Sequence, residues 1–483
     1  MERFGLTHRT ARISALVATL LLAACSVNPA TGERQFILIG EGREIQMGRE
    51  ADQQITASLG LYDDPAIQAY ISQLGNRLAA RSERPGLPWS FKVVDDPIVN
   101  AFALPGGFIY ITRGIMVHFT SEAQLASVVG HEIGHVTGRH SVEQLSRAQL
   151  AQVGLAAGTL FGPQELQGFL GAASAGLGLL FLKFGRSDER QADDLGLRYM
   201  DRAGFDPREM PGVFTMLGRV SAAAGGGGRV PEWLSTHPNP ENREARIERA
   251  IVALGKDFSE REVGRDSYLD RLDGMVFGPD PRDGFFDGAL FMQPRLRFRL
   301  TFPEGWQTQN QRQAVVGVNG SQNAIIQLSL TTQSTPDAAA RAFLSQNGVN
   351  SSTPRRTTIN GLSAVTADFR ATTQQATLVG SVAFIAHDGN VFQLLGYGTS
   401  SAWRSARDEV QRTFGSFGEL RDPDALGAEP LRVDIVTLPS AMTLQQFAER
   451  YPSEISIEQL ALINQWEVGA TIEAGTKLKR VVK

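Results

Sequence analysis

Apolar side chains recur at helical spacing from about Glu41 to Leu59 and again from Pro65 to Arg81. Trp89 to Val94 alternates as a strand does, and Phe108 to Thr112 is a second short strand. Between them, Asn100 to Gly107 is rich in turn residues. A helical pattern resumes at Ser121, an N-cap residue with Gln124 at the capping-box position. Residues 150–182 are rich in Ala, Leu and Gly, and the uncharged run from Phe169 to Leu182 is too short to span a bilayer that needs about 20 residues. It reads as a core helix or helical hairpin, with a membrane-surface role as the alternative. Gly225 to Gly228 form a flexible link, followed by Ser235-Thr236-His237-Pro238 and a charged helix from Glu241 to Ala253.

The pattern changes near residue 280. Strands are expected at Leu296–Phe302, Ala324–Thr331, Ala376–Ala386 and Val391–Gly396, and helices near 336–346 and 401–414, which together describe an α+β domain at 285–420. A linker from Asp422 to Pro430 precedes residues 431–483.

Composition narrows the class. The chain has 483 residues, 47 basic and 51 acidic, for a net charge of -4, and 42% of it is hydrophobic. Those values describe a folded protein of two to four domains, and the lack of a basic excess argues against nucleic acid as a partner. The single cysteine excludes internal disulfides and Cys-rich zinc sites, but leaves a His/Glu metal site open.

That cysteine has a telling position. Arg3, Arg9 and Arg12 precede an uncharged apolar run, Ile13 to Leu22, which ends in Leu22-Ala23-Ala24-Cys25. This is the layout of a secretory signal over residues 1–24. Leu-Ala-Ala-Cys resembles a bacterial lipobox, which implies cleavage before Cys25 and its acylation; an ordinary signal with an incidental cysteine is the alternative. Ser26, rather than Asp, implies sorting to the outer membrane by resemblance to Gram-negative rules. Loss of residues 1–24 removes three Arg and one Glu, leaving 44 basic and 50 acidic groups and a charge of -6. Residues 25–40, with Pro29, Gly32 and Gly40, read as a lipidated tether.

The chemistry is concentrated in His131-Glu132-Ile133-Gly134-His135. On a helix, positions i and i+4 share a face one turn apart, so both imidazoles can reach one ion. Glu132, beside them, is suited to move the proton of a catalytic water. A third ligand is needed. His140 lies nine positions after His131, on the opposite side of a continuing helix, and the metzincin spacing would need histidine at 141, which is Ser141. In the stretch from Ser187 to Gly196, Glu189 and Asp193 share one helix face. Glu189 can complete a His₂Glu zinc site of gluzincin type, and Asp193 can accept the free N–H of a ligand histidine, His131; a solvated acidic helix face is the alternative.

HExxH, then Glu-x-x-Ala-Asp-x-x-Gly about fifty residues later, then Ser-Thr-His-Pro, resemble the zinc metallopeptidases of the HtpX and CAAX-prenyl-endopeptidase family, most nearly its periplasmic, BepA-like branch. Asn100 to Gly107 also matches the family's Asn-Ala-Phe-x-x-Pro-Gly-Gly. The likeness covers about residues 41–253 and implies a mainly α-helical metallopeptidase core with a small β-sheet over 41–280, one Zn²⁺ per chain, and endopeptidase activity on misfolded or stalled envelope proteins. It further implies that His237 is a fourth zinc ligand that keeps the enzyme latent; a structural histidine in a turn is the alternative. Unlike multi-pass members the chain has no convincing transmembrane helix after the signal, and unlike BepA it has no 34-residue helical repeat. For the oxyanion, Arg190 and His237 are candidates, and the strand Phe108 to Thr112 is a candidate to bind substrate as an added strand.

Residues 431–483 resemble a LysM module through Met442-Thr443-Leu444, Phe447-Ala448, Tyr451, Leu460, Asn464, Ile472, Gly475 and Leu478. That implies a small βααβ fold and peptidoglycan binding, although Pro439-Ser440-Ala441 replaces the usual Gly-Asp; a small module packing on its neighbour is the alternative. Phe302-Pro303-Glu304-Gly305-Trp306 weakly resembles PsbP-like domains. The rival functions are a non-proteolytic, zinc-stabilised chaperone or assembly factor and, from the LysM likeness, a peptidoglycan hydrolase.

Overall fold

The computed structural model describes residues 25–158, 182–224, 233, 237, 243–372 and 377–483. The expected signal at 1–24, the run 169–181, the glycine link and most of the Ser-Thr-His-Pro motif lie outside them. Two compact units emerge: the chain up to Gly278 together with Leu431–Lys483, and Pro279–Pro430.

The first unit is built on helices α1 (Glu41–Leu59), α2 (Pro65–Ala79), α3 (Glu122–Thr137), α4 (His140–Gly158), α5 (Arg186–Ala203), α6 (Met210–Ala224), α7 (Arg243–Ala253) and α8 (Arg265–Leu272). Its sheet has β3 (Ser90–Val94), β5 (Phe108–Thr112) and β4 (Ala101–Leu104) in that spatial order. Helix α3 starts where Ser121 accepts a hydrogen bond from the Gln124 main-chain N–H, 3.2 Å. The Gln124 side chain closes the turn one residue earlier than a capping box does, accepting from Thr120 N–H. Every residue of α3 after Glu122 is buried, so this helix is the centre of the unit rather than an amphipathic surface element.

Helices α3 and α5 cross with their backbones nearly touching. A Cβ on Gly196 would lie 2.9 Å from the His131 main-chain nitrogen, and one on Gly134 would lie 2.9 Å from the Ala192 carbonyl. Glycine at both positions permits the approach that brings Glu189 to the histidines.

Three sequence expectations change. Strand β5 pairs with β3 on one side and β4 on the other, so Phe108–Thr112 has no free edge for a substrate strand. The turn-rich stretch contains strand β4, and β4 is the edge on that side among the described residues. The segment read as a tether is folded: β1 (Cys25–Val27) and β2 (Arg34–Phe36) form a hairpin, and Ile37 and Ile39 are buried with Val142 of α4. Its polar inward groups find partners on the helices, which a solvated tether would leave to water.

The C-terminal segment belongs to the first unit. It runs β7 (Leu431–Thr437), β8 (Met442–Thr443), α11 (Leu444–Arg450), α12 (Ile457–Asn464), β9 (Thr471–Ile472) and β10 (Lys477–Val482), with β7 between β10 and β6 (Val276–Phe277). Lys479 is fully buried, and its Nζ donates to the carbonyls of Val117 and Phe119, both 2.7 Å, just before α3. Gln465 donates to the His118 carbonyl and to Gln124.

The second unit has an eight-stranded antiparallel sheet centred on Ala324–Leu330, Asn390–Thr399, Thr377–His387 and Leu362–Thr372, and a four-stranded sheet containing Phe298–Thr301. Helices α9 (Pro336–Leu344) and α10 (Ser400–Ser416) accompany them, as an α+β reading expects. The Asp422–Pro430 link contains one helical turn, Pro423–Leu426, capped by Asp422. No helix among the described residues is long and apolar enough to cross a membrane.

Candidate metal centre

His131 and His135 project from one face of α3, Glu189 from α5, and His237 from the chain beyond α6. One donor atom from each lies within 4.8 Å of all the others, and all four residues are buried. The Nε2 atoms of His131 and His135 are 3.0 Å apart, and His237 Nδ1 is 3.3 Å from His131 Nε2. Glu189 Oε1 lies 2.9 Å from His237 Nδ1 and 3.4 Å from His135 Nε2. Glu189 Oε2 is 3.7 Å from His131 Nε2.

These spacings test the site for a metal. Ligand bonds of about 2.1 Å around a tetrahedral ion separate the donors by roughly 3.4 Å, in the middle of the observed range. Glu132 Oε2 is buried without a hydrogen-bond partner, and the charged neighbour of Glu189 Oε2 is the Arg243 guanidinium. Three nitrogens and a carboxylate are a donor set that suits zinc.

The surrounding residues orient the donors. His131 Nδ1–H donates to Asp193 Oδ1 at 3.0 Å, which leaves Nε2 free to face the cluster. Asp193 is also gripped by Arg243, at 3.0 and 2.5 Å, and by Arg246 at 3.0 Å. Arg243 Nη1 is 3.0 Å from Glu189 Oε2 as well. Phe184 stacks on His135 with ring centroids 4.0 Å apart, and Trp233 stacks on His237 at 4.9 Å. The Trp233 indole N–H points to Glu132 Oε1 at 3.4 Å, and His237 Nε2 is 3.6 Å from the same oxygen.

Charge follows from this packing. Burial disfavours charge on His135 and lowers its pKa well below the usual histidine range. Burial acts the same way on His140, whose pKa is also lowered. For His237, burial is outweighed by the negative charges of Glu189 and Glu132, and its pKa is raised. For Glu189, burial is outweighed by His237 and by the bonds from His135 and His237, so the carboxyl pKa is lowered. Asp193 follows the same logic, with His131 and Arg243 outweighing burial.

Among the residues singled out in the sequence, His131, Glu132, His135, Glu189, Asp193 and His237 come together here. Arg190 does not: its side chain is exposed, and its carbonyl accepts from Arg246. A continuing helix would put His140 on the far side from His131, but α3 ends at Thr137, and Arg139 adopts φ 57°, which turns the chain before α4. His140 Nδ1 therefore lies 2.9 Å from His135 Nδ1. Arg243, Trp233 and Phe184 carried no motif signal, since their contacts with His135, Glu132, Glu189 and Asp193 are made across about 50 to 100 residues.

The site is closed as it stands. Glu132 and His237 are 0% and 1% exposed, and the cavity beside His131, under Trp233, holds only about 10 Å³.

A histidine pair and a glutamate on crossed helices, with a further glutamate between the histidines, form a buried donor set suited to a metal ion. Residues 65–251, which carry all of these side chains, match the model of peptidase family M48. The beta-barrel assembly-enhancing protease of Escherichia coli K12 is 33% identical over 269 residues, covering 50% of this chain and 55% of that protein. The mitochondrial metalloendopeptidase OMA1 of Schizosaccharomyces pombe is 34% identical over 225 residues, covering 46% and 64%. The chain thus spans about half the length of the first of these relatives, and 64% of the second. The solution structure of cyanobacterial PsbP from Synechocystis sp. PCC 6803 matches 28% of this chain and 94% of its own, with 11% identity and a TM-score of 0.24, too low to argue a shared fold.

Proposed function

We propose that this chain is a zinc-dependent endopeptidase of the bacterial cell envelope, held latent by His237. The observation that carries the reading is the buried cluster of His131, His135, Glu189 and His237 with Glu132 at its edge. His131, His135 and Glu189 are the residues that would hold the ion. Bound there, zinc supplies the Lewis acidity that peptide hydrolysis requires. Glu132 takes the proton of the attacking water and returns it to the leaving amine. Asp193 keeps the His131 tautomer fixed, and Arg243 compensates the charge of both helix-α5 carboxylates. With an ion held by His131, His135 and Glu189, His237 would be a fourth protein ligand, and a centre so held would leave no place for water or a peptide carbonyl. The imidazole and the Trp233 indole also face Glu132, so one segment blocks both the fourth position and the base. Strand β4 is the edge to which an extended peptide can add.

The assigned substrates are misfolded or stalled envelope proteins, in keeping with the name of the Escherichia coli relative. Cys25 is the assigned acylation site, with the chain on the periplasmic face of the outer membrane. Residues 431–483 are assigned as a LysM-like module, a reading supported by their strand–helix–helix–strand order.

Casein digestion by wild type, His237→Ala and Glu132→Gln tests the proposal. Cleavage by His237→Ala, much weaker in wild type and absent in Glu132→Gln, is the expected result. Equal activity in wild type and His237→Ala removes latency, and silence in both refutes the protease. The closed centre favours one second reading, a chaperone stabilised by zinc, which silence in both would support.

A further inference from the structure

The two histidines of α3 must both present Nε2 to the cluster, so each must carry its proton on Nδ1 and needs an acceptor there. For His131 that acceptor is Asp193. For His135 it is no carboxylate: the neighbour of His135 Nδ1 is His140 Nδ1, at 2.9 Å.

We infer that His140, oriented by Gln191 and Asn28, is a positioning residue for His135, and that the N-terminal hairpin is therefore part of the metal centre. The inference rests on the zinc reading above. One assignment of protons satisfies every link. His135 Nδ1–H donates to His140 Nδ1. His140 then carries its proton on Nε2 and donates it to Gln191 Oε1 at 2.8 Å. Gln191 Oε1 is held in place as an acceptor by the Asn28 Nδ2–H group at 2.9 Å. Asn28 is itself fixed by the hairpin: its Oδ1 accepts from Ala30 N–H, and its main chain bonds with Glu33 and Gly32. Gln35 Nε2–H donates to the Gly138 carbonyl, just past the end of α3, at 2.9 Å, and Asn28 reaches the same carbonyl.

The relay touches both donor helices. Gln191 is two residues beyond Glu189 on α5, and Gly138 follows α3. Gly138 also leaves the space for it: a Cβ there would lie 2.5 Å from His140 Nε2 and 2.8 Å from Gln191 Oε1. A largely buried chain of satisfied hydrogen bonds fixes a ring orientation more firmly than packing alone. Because Asn28 is three residues from Cys25, the segment that sequence pattern assigns to a tether instead sets the geometry of His135.

The test is zinc affinity of the full chain, by competition with a chromophoric chelator, with the cobalt(II) absorption spectrum as a second readout. His140→Ala is expected to bind zinc about 10–100-fold more weakly than wild type and to change the cobalt spectrum. His140→Asn, whose carbonyl can replace the Nδ1 acceptor, is expected to regain most of the affinity. Asn28→Ala is expected to lie between wild type and His140→Ala. Equal thermal midpoints of the metal-free proteins would show that the fold is intact. Zinc affinity of His140→Ala within twofold of wild type overturns the inference, as does failure of His140→Asn to recover. Should His140→Ala not fold, Gly138→Ala and Asn28→Ala are judged by the same criterion. No saturable zinc binding by wild type overturns the zinc reading itself, a result distinct from wild-type binding with indifferent variants.

Discussion

Arg243→Met tests whether buried charge compensation holds the α5 carboxylates in place. Arg243 is 2% exposed, and its guanidinium forks onto Asp193 at 2.5 and 3.0 Å while a third nitrogen lies 3.0 Å from Glu189. It also lies 4.7 Å over the Phe214 ring and 5.4 Å over Trp233, contacts that a methionine side chain retains in part. At charge-centre separations near 4 Å and an effective dielectric of 20, each pair contributes about 4 kcal/mol of Coulomb energy. Arg246 and His131 remain on Asp193 in the variant, whereas Glu189 loses its guanidinium. Removing one partner of such a buried pair costs about 3–5 kcal/mol, and that is the expected loss for metal-free protein at pH 7. The sign with pH is fixed by the lowered carboxyl pKa values of Asp193 and Glu189. Their stabilisation is complete above the unfolded carboxyl pKa of about 4 and is lost as pH falls through the folded values. The difference between wild type and variant therefore narrows below about pH 4. Denaturant unfolding in chelator at pH 7 and at acid pH measures it. A loss under about 1 kcal/mol at pH 7, below the cost of an uncompensated buried charge, or one that does not change with pH, refutes the argument.

Gly196→Ala should force α3 and α5 apart, because the added Cβ meets the His131 main-chain nitrogen at 2.9 Å. A stability loss of about 1–3 kcal/mol, seen in thermal unfolding together with weaker zinc binding, is expected; an unchanged midpoint would contradict the close crossing. Lys479 has its pKa driven well below the usual lysine range by burial, with Arg265 adding to the effect. The unfolded chain therefore binds more protons than the folded one, and stability should rise with pH from neutrality toward about 10. In Lys479→Met that slope should shrink, and a wild-type profile flat over this range would count against a buried amine.

What the sequence alone determined is local. Glu41–Leu59 is a helix because apolar side chains recur along one face, and Ser121 caps α3 because its hydroxyl reaches the N–H three residues on. His131 and His135 share a face by the helical repeat itself, and Glu189 and Asp193 do so on α5 by the same spacing. Tertiary structure decided everything that joins distant segments. Strand β5 lies inside its sheet because β3 and β4 both pair with it, and no alternation in Phe108–Thr112 encodes how many neighbours a strand will have. His140 meets His135 only because the chain turns at Arg139, a positive φ that an arginine does not advertise. Asn28, Arg243 and Lys479 reach their partners across 50 to more than 360 residues. Each was an ordinary polar residue along the chain, and only burial, which makes an unsatisfied donor or unpaired charge costly, turned it into part of the centre or its frame.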